Sequence, residues 1–581
     1  MALTVAAALA AEVPAVDSRN TEIIHTNYHF KMPEFPSLAA WEARKAELVK
    51  QILSSAGLLP LPERTALHPQ IFGRLERKTY AVEKVLLETL PGVYLGGNLY
   101  RPLQRTGKLP AVVNPHGHWT YGRLENSDNY SGQALASTLA KQGYVVFAYD
   151  MVGYNDTIQT PHIWGSPAHQ LWSFGPLGLQ LWNSLRVVDF LLSLSEVDPD
   201  RIAATGASGG GTQTFLLTAI DPRVHFAAPV NMVSSIMQGG CGCENAPGLR
   251  IGTNNMEIAA MMAPRPMLLV AATGDWTKHV PSEEFPAIRK IYELYGKPEN
   301  IEVAQFDYGH NYNKDSREAV YRFFGKRILG STDPATLAEK DPHVEGIQDV
   351  LALHGRPLPD GALPFEKIFE LWKDASRKLT GAITNPTMLR ENLRLSLAAE
   401  WPDKVVADNT GGKLALSRAS HGDRVNAISI EGRGAPALVV HSGGAEAARS
   451  SPQVAALLHE KRPVLIVEAF QTGQAVAPRD HTKPQFVTFN PSDDACRVQD
   501  ILTALSYLNA RHSGRIELIG LDKAAVWTLF AAAVAPIDVH LSTLPEGFQG
   551  SDDEFARLFF VPGIQRAGGL DAALALTKNR R

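Results

Sequence analysis

From Lys78 onward the chain alternates short apolar runs with amphipathic stretches, and this alternation leaves few folds open to it. Residues 81–87 and 93–100 read as two strands joined by a turn at Pro91-Gly92. Apolar runs at 109–114, 144–149, 201–206, 267–272 and 301–307 read as strands. Helical periodicity fills 134–141, 177–194, 213–219, 285–295 and 317–328 between and after them. Strands in strict alternation with helices build a mostly parallel sheet covered on both faces, here preceded by an antiparallel hairpin. One α/β domain is therefore expected over 75–330.

At 581 residues the chain exceeds what a single core of ~250–300 residues accommodates, so a second domain is expected. Residues 1–74 read as a mostly helical extension broken by Pro33, Pro36, Pro60 and Pro62, and 331–400 as a linker or helical arm. The alternation then resumes over 401–581, with strands at 437–440, 463–467, 515–520 and 537–541 and helices at 496–508 and 524–533. Charged residues are 20% of the chain, and Lys+Arg 56 nearly cancels Asp+Glu 60. That balance gives no electrostatic footprint for nucleic acid or an anionic membrane. No apolar run reaches the ~18 residues of a membrane span. Residues 3–11, with Ala8-Leu9-Ala10 as a cleavage-like triplet and no preceding Lys or Arg, read either as the remnant of an export signal or as a plain tail. A periplasmic or secreted address is the expectation, with the cytoplasm as the alternative.

Gly206-Ala207-Ser208-Gly209-Gly210 has the form G-x-S-x-G. The pattern alone is weak, but here a strand precedes it and an apolar helix follows. A serine on such a sharp turn needs flanking glycines so that neighbouring backbone can come close. Its hydroxyl needs a base, and the base needs an orienting acid. Two strand ends downstream supply them: 267–272 runs into Thr273-Gly274-Asp275-Trp276, and 301–307 into Tyr308-Gly309-His310. Asp275 is the expected acid, Asp307 the alternative, and His310 the base. An oxyanion hole needs two amides: one from Gly209, the other from His118 or Gly117 in the loop His116-Gly117-His118-Trp119.

His116 and His118 stand two apart, but no HExxH and no acidic cluster accompanies them, so no metal is expected. Cys241-Gly242-Cys243-Glu244 is the other unusual feature. Zinc there would need further Cys or His ligands, and Cys496 lies in the other domain, so buried thiols or a strained vicinal-type disulfide are expected instead. This loop falls between nucleophile and acid and so is placed to line the pocket, Glu244 included. Trp119, Tyr121, Tyr154, Trp164, Trp172 and Trp276 fall in loops at the same face, either to stack on sugar rings or to pack as core. Of these, Trp119, Tyr154 and Trp276 are taken with Glu244 as candidate substrate contacts.

Taken together, Tyr80-Ala81-Val82-Glu83-Lys84-Val85, Gly97-Asn98-Leu99-Tyr100, His116-Gly117-His118, the 206–210 elbow, Ala263-Pro264-Arg265-Pro266, Thr273-Gly274-Asp275-Trp276-Thr277 and Tyr308-Gly309-His310 resemble the α/β-hydrolase superfamily. Within it they are most similar to the acetyl xylan esterase-like branch of bacterial carbohydrate esterases. The resemblance covers about 75–330. It implies hydrolysis of carboxylic esters, acyl esters of carbohydrates foremost, through an acyl-serine and with no cofactor. The related glucuronoyl esterases carry Arg directly after the nucleophile, where this chain has Gly209.

Residues 515–524 parallel 201–210, but Asp522 stands in the serine's place. His441-Ser442-Gly443-Gly444 parallels the oxyanion loop. The carboxy-terminal third thus resembles a truncated, degenerate hydrolase unit without a triad, packed on the first domain or on another subunit. Two further readings compete with an esterase. A peptidase of the prolyl oligopeptidase type uses the same triad but usually carries a propeller, for which 75 residues are too few. A non-catalytic binding protein suits the second unit better than the first.

Overall fold

A computed structural model of the chain describes residues 12–104, 106–410, 413–545 and 547–580, so the apolar run at 3–11 lies outside the described residues. The chain forms two compact units. The larger comprises His25–Gly165 and Ser173–Ala375; the smaller comprises Met1–Ile24, Ser166–Trp172 and Ser376–Arg581.

The larger unit is built on nine strands. They are β1 (Gln70–Glu76), β2 (Tyr80–Leu90), β3 (Val93–Pro102), β4 (Leu109–Pro115), β5 (Val145–Tyr149), β6 (Val197–Ala207), β7 (Phe226–Val230), β8 (Met267–Ala272) and β9 (Ile301–Phe306). Their order is β1-β2-β3-β5-β4-β6-β7-β8-β9. β1 to β3 and the β3–β5 pair are antiparallel, and every later pair is parallel. Strand β4 is central: Val113 pairs with Phe147 on one side and Ala204 on the other. Every residue of β4 is buried, as a strand covered on both faces must be. On one face Val112, Val146, Ala203, Val230 and Val270 pack with Leu135 and Leu139 of helix Gly132–Lys141 and Val320 and Phe324 of helix Lys314–Phe324.

The sheet reverses direction of growth at β4, with β5 added on one side and β6 on the other. In open α/β sheets such a switch point, at the carboxyl ends of the strands, is where ligands bind. The loop after β4 and the turn after β6 both start there.

Residues 20–75, expected to be mostly helical, depart from that reading. Helix Leu38–Ser55 forms where Ser37 caps the amide of Ala40 and where Trp41, Leu48 and Ile52 share one buried face. Strand β1 follows it and extends the expected hairpin to three strands, a pairing made with β2 rather than signalled by β1's own sequence. Strand β7, a five-residue run of Phe226–Val230, also escaped periodicity.

The smaller unit has seven strands among its described residues: β10 (Val405–Thr410), β11 (Lys413–Arg418), β12 (Val425–Ile430), β13 (Ala437–His441), β14 (Val464–Glu468), β15 (Ile516–Leu521) and β16 (Val539–Leu541). Their order, β10-β11-β12-β14-β13-β15-β16, repeats that of β1 to β7 strand for strand. The antiparallel start and parallel remainder repeat as well. No described strand corresponds to β8 or β9. No helix among the described residues is long and apolar enough to cross a membrane.

A buried ion cluster ties the larger unit together beside its switch point. Arg123, 2% exposed, bridges Asp150 at the end of β5 and Asp156, and its Nε donates to Asn98 on β3 at 2.9 Å. Asp156 also accepts from the amides of Ala352 and Leu353. Removing only the cation leaves two buried carboxylates uncompensated. Arg123→Met is expected to cost about 3–5 kcal/mol, read as a lowered denaturation midpoint; an unchanged midpoint would contradict this account of the cluster.

Candidate active site

The elbow is built by close packing. Strand β6 ends at Ala207, helix Gly209–Ile220 begins two residues later, and Ser208 between them has φ 59° and ψ −125°. That left-handed region is strained for a residue with a Cβ. Backbone crowding enforces it. A Cβ on Gly206 would lie 2.3 Å from the Pro115 carbonyl oxygen, and one on Gly210 would lie 2.4 Å from the same atom. The Ser208 amide donates to the Val230 carbonyl at the end of β7 (3.1 Å), pinning the turn to the sheet.

Gly117 closes on the turn from above: a Cβ there would be 2.5 Å from the Ala207 carbonyl oxygen and 2.9 Å from the Ser208 Cβ. Gly209 is the first helical residue, so its amide has no carbonyl one turn earlier to bind. The His118 ring lies against Gly209, and a Cβ there would be 2.9 Å from the ring's Cε1. Ser208, Gly209, Gly117 and His118 are thus brought together.

Asp275 and His310 meet across the ends of β8 and β9. Asp275 Oδ2 is 2.8 Å from His310 Nδ1, while its Oδ1 accepts from the Thr277 amide at 2.7 Å and the Thr277 hydroxyl at 2.5 Å. The carboxylate is 2% exposed and fully oriented. With Nδ1–H donating to Asp275, Nε2 carries the lone pair. That Nε2 atom is buried and has no hydrogen-bond partner. Asp307 instead accepts from the Thr273 hydroxyl, so the alternative acid does not face the base.

Trp276 and Trp119 flank the His310 ring at centroid distances of 4.3 and 6.0 Å, and the Trp119 indole N–H is buried without a partner. Tyr154 packs edge-on to His116 and His162, at 5.0 Å from each. Glu244 does not present its carboxylate to an open face. It is 3% exposed, and Oε2 accepts from the amides of Gly240 and Cys241, which makes it a brace of its own loop.

His116 sits wholly inside. Its Nδ1 lies 2.7 Å from the Gly117 carbonyl and its Nε2 accepts from the Met151 amide, a pattern only the neutral ring can make. Burial, first among the causes, drives its pKa down to about 3.

Further ligand-type residues, not expected near the cysteines, do approach them. His118 and His162 both reach Cys241 and Cys243, and one ligand atom from each of the four lies within 4.8 Å of the others. His118 Nε2 is 3.0 Å from the Cys243 sulfur, and the Cys241 sulfur is 3.4 Å from His162 Nε2. Neither cysteine is in a disulfide. Hydrogen bonding from Cys243 first, then from His118 and His162, holds the Cys241 thiol well below its ordinary range, whereas burial pushes Cys243 up. His116, the histidine two before His118, takes no part. His162 was missed by sequence reasoning because nothing in its own neighbourhood marks it.

A strained serine between a parallel strand and a helix, with an aspartate after β8 and a histidine after β9 at the same edge of the sheet, defines the α/β-hydrolase class. No family model matches the chain. The solved structure of methylesterase BT1017 is 33% identical, with a TM-score of 0.51, over 60% of this chain and 78% of that one. The "Putative hydrolase YtaP" of Bacillus subtilis (strain 168) is 26% identical over 302 residues, 48% of this chain and 99% of its own. The chain belongs to the family of that methylesterase, on the carboxylic-ester-hydrolase branch of the α/β-hydrolase superfamily.

Gly206→Ala forces backbone against backbone and is expected to cost about 1–3 kcal/mol, seen in the denaturation midpoint, because no side chain can move aside. Between pH 6.5 and about 3 the unfolded chain binds a proton at His116 that the folded ring refuses. The neutral ring's contribution is therefore whole above pH 6.5 and is lost on acidification through that window. His116→Gln, which takes up no proton there, is expected to show a shallower loss of stability with falling pH; parallel profiles would refute the assignment.

Proposed function

We propose that the chain is a serine hydrolase of carboxylic esters, acting on carbohydrate esters through an acyl-serine intermediate. The observation that carries this reading is the buried, unpartnered Nε2 of His310, oriented from behind by Asp275, at the face where the strained Ser208 emerges.

In the proposed mechanism His310 Nε2 takes the Ser208 hydroxyl proton as the oxygen attacks the ester carbonyl. Asp275 stabilises the imidazolium and holds its tautomer. The amide of Gly209 and one amide of the Gly117-His118 pair receive the developing oxyanion. Collapse expels the alcohol with the proton from His310, and water repeats the sequence on the acyl-enzyme, restoring Ser208 and releasing the acid. Trp119, itself stacked on Tyr130, and Trp276 limit the motion of the histidine. The 33%-identical relative is named a methylesterase, which supports testing methyl esters beside acetyl esters.

Ser208→Ala is expected to abolish hydrolysis of aryl acetates and of methyl- and acetyl-esterified glycans while the protein stays folded. A fluorophosphonate is expected to label Ser208 alone, with no label in the smaller unit, and labelling elsewhere would overturn the assignment. Asp275→Asn is expected to lower kcat by about 10⁴ with KM little changed, whereas Asp307→Asn retains activity.

A further inference from the structure

We propose that His118, His162, Cys241 and Cys243 form a tetrahedral site for zinc that clamps the loop after β4 against the loops after β5 and β7. The proposal is independent of the esterase reading, since it concerns which atoms bind metal and not whether Ser208 reacts.

The four residues come from three separate stretches of chain, yet their ligand atoms converge within 4.8 Å of one another. A tetrahedral zinc ion with Zn–S of about 2.3 Å and Zn–N of about 2.0–2.1 Å needs ligand–ligand separations of about 3.3–3.8 Å. Of the two sulfur–nitrogen separations, 3.4 Å lies within that range and 3.0 Å falls short of it, so small outward side-chain shifts complete the geometry.

The surroundings are those of a ligand set. His162 Nδ1 lies 2.8 Å from the Val152 carbonyl, which fixes the proton there and leaves the Nε2 lone pair facing the cluster. The Cys241-Cys243 loop is held by buried polar groups rather than by the sulfurs. Glu244 Oε2 receives the amides of Gly240 and Cys241, and Asn245 Nδ2 donates to the Gly239 and Cys241 carbonyls. Arg250, 1% exposed, donates to the Glu244 carbonyl and Asn245 Oδ1. Both sulfurs are therefore pre-positioned without a bond between them.

Two sulfurs and two imidazoles select a zinc-type cation over magnesium or calcium, which take oxygen ligands. Four protein ligands close the coordination sphere, the signature of a structural site. On binding, two S–Zn and two N–Zn bonds form and the thiol protons go to solvent, leaving a neutral Zn²⁺–dithiolate unit. The consequence for the neighbouring chemistry is positional. The His118 ring, which lies against Gly209, would be fixed by the metal, so the metal would hold the 116–119 loop at its distance from Ser208.

The test uses the full chain purified under reducing conditions without chelator. Elemental analysis is expected to find one zinc per chain in the wild type and in Ser208→Ala, and none in the Cys241→Ser/Cys243→Ser double variant. His162→Ala, which leaves both sulfurs in place, is expected to lose most of the zinc and keeps the test valid if the double variant misfolds. Cobalt exchange is expected to give thiolate-to-metal charge-transfer absorption together with tetrahedral d–d bands. Chelation is expected to lower Tm in the wild type and not in the metal-free variants. No zinc in wild-type protein equilibrated with stoichiometric Zn²⁺, zinc retained in the double variant, or a Cys241–Cys243 disulfide under reducing conditions would each overturn the proposal.

Discussion

The carbonyl oxygen of Pro115 meets the backbone of both Gly206 and Gly210, and the larger unit's functional face depends on that contact. The oxygen stands 2.3 and 2.4 Å from where their Cβ atoms would be, so neither position admits a side chain. Because β4 and β6 must approach this closely, the chain leaving β6 has to turn at once, and Ser208 takes the strained conformation at the apex. The same contact puts the first residues after β4 directly over the turn. Ordinary sheet packing thus sets the spacing between elbow and overlying loop.

The smaller unit repeats that architecture with a different residue at its turn. Asp522 occupies the elbow with φ 55°, close to the 59° of Ser208. Gly520 is crowded by the carbonyl oxygen four residues on, at 2.6 Å from its would-be Cβ, as Gly206 is by that of Gly210 at 2.7 Å. Asp522 is bonded to the hydroxyl of Ser442, in the loop after β13 that corresponds to the loop after β4. The backbone constraint recurs, with a carboxylate tied to its neighbour at the position that Ser208 holds in the larger unit. Strands equivalent to β8 and β9, which carry Asp275 and His310 in the larger unit, have no counterpart among the described residues.

Around Ser208 two kinds of histidine stand within one loop. His116 is neutral and buried, spent on bracing the Gly117 carbonyl and the Met151 amide. His118 is turned outward to Cys243 while its ring covers Gly209. The loop is consequently anchored on both sides, inward by a hydrogen-bonded core imidazole and outward by the sulfur–imidazole cluster. Such double anchorage holds the loop amides at a fixed distance from the Ser208 turn.

The fold class was legible in the sequence because periodicity and burial share one cause. A strand buried on both faces, such as β4, must be a continuous apolar run, and helices between such runs must be amphipathic. The G-x-S-x-G turn was legible because only glycine tolerates the Pro115 contact, and the pairing of Asp275 with His310 because they follow strands that end at the same edge. Strand β1 was not legible, since its pairing with β2 supplies most of what holds it. The meeting of His118, His162, Cys241 and Cys243 was not legible either. His162 is silent in sequence, and its approach to the cysteines exists only because β4, β5 and β7 deliver three distant loops to one side of one sheet. Local spacing by itself thus determined the repeating α/β pattern and the elbow, whereas long-range strand order decided which distant side chains share a site.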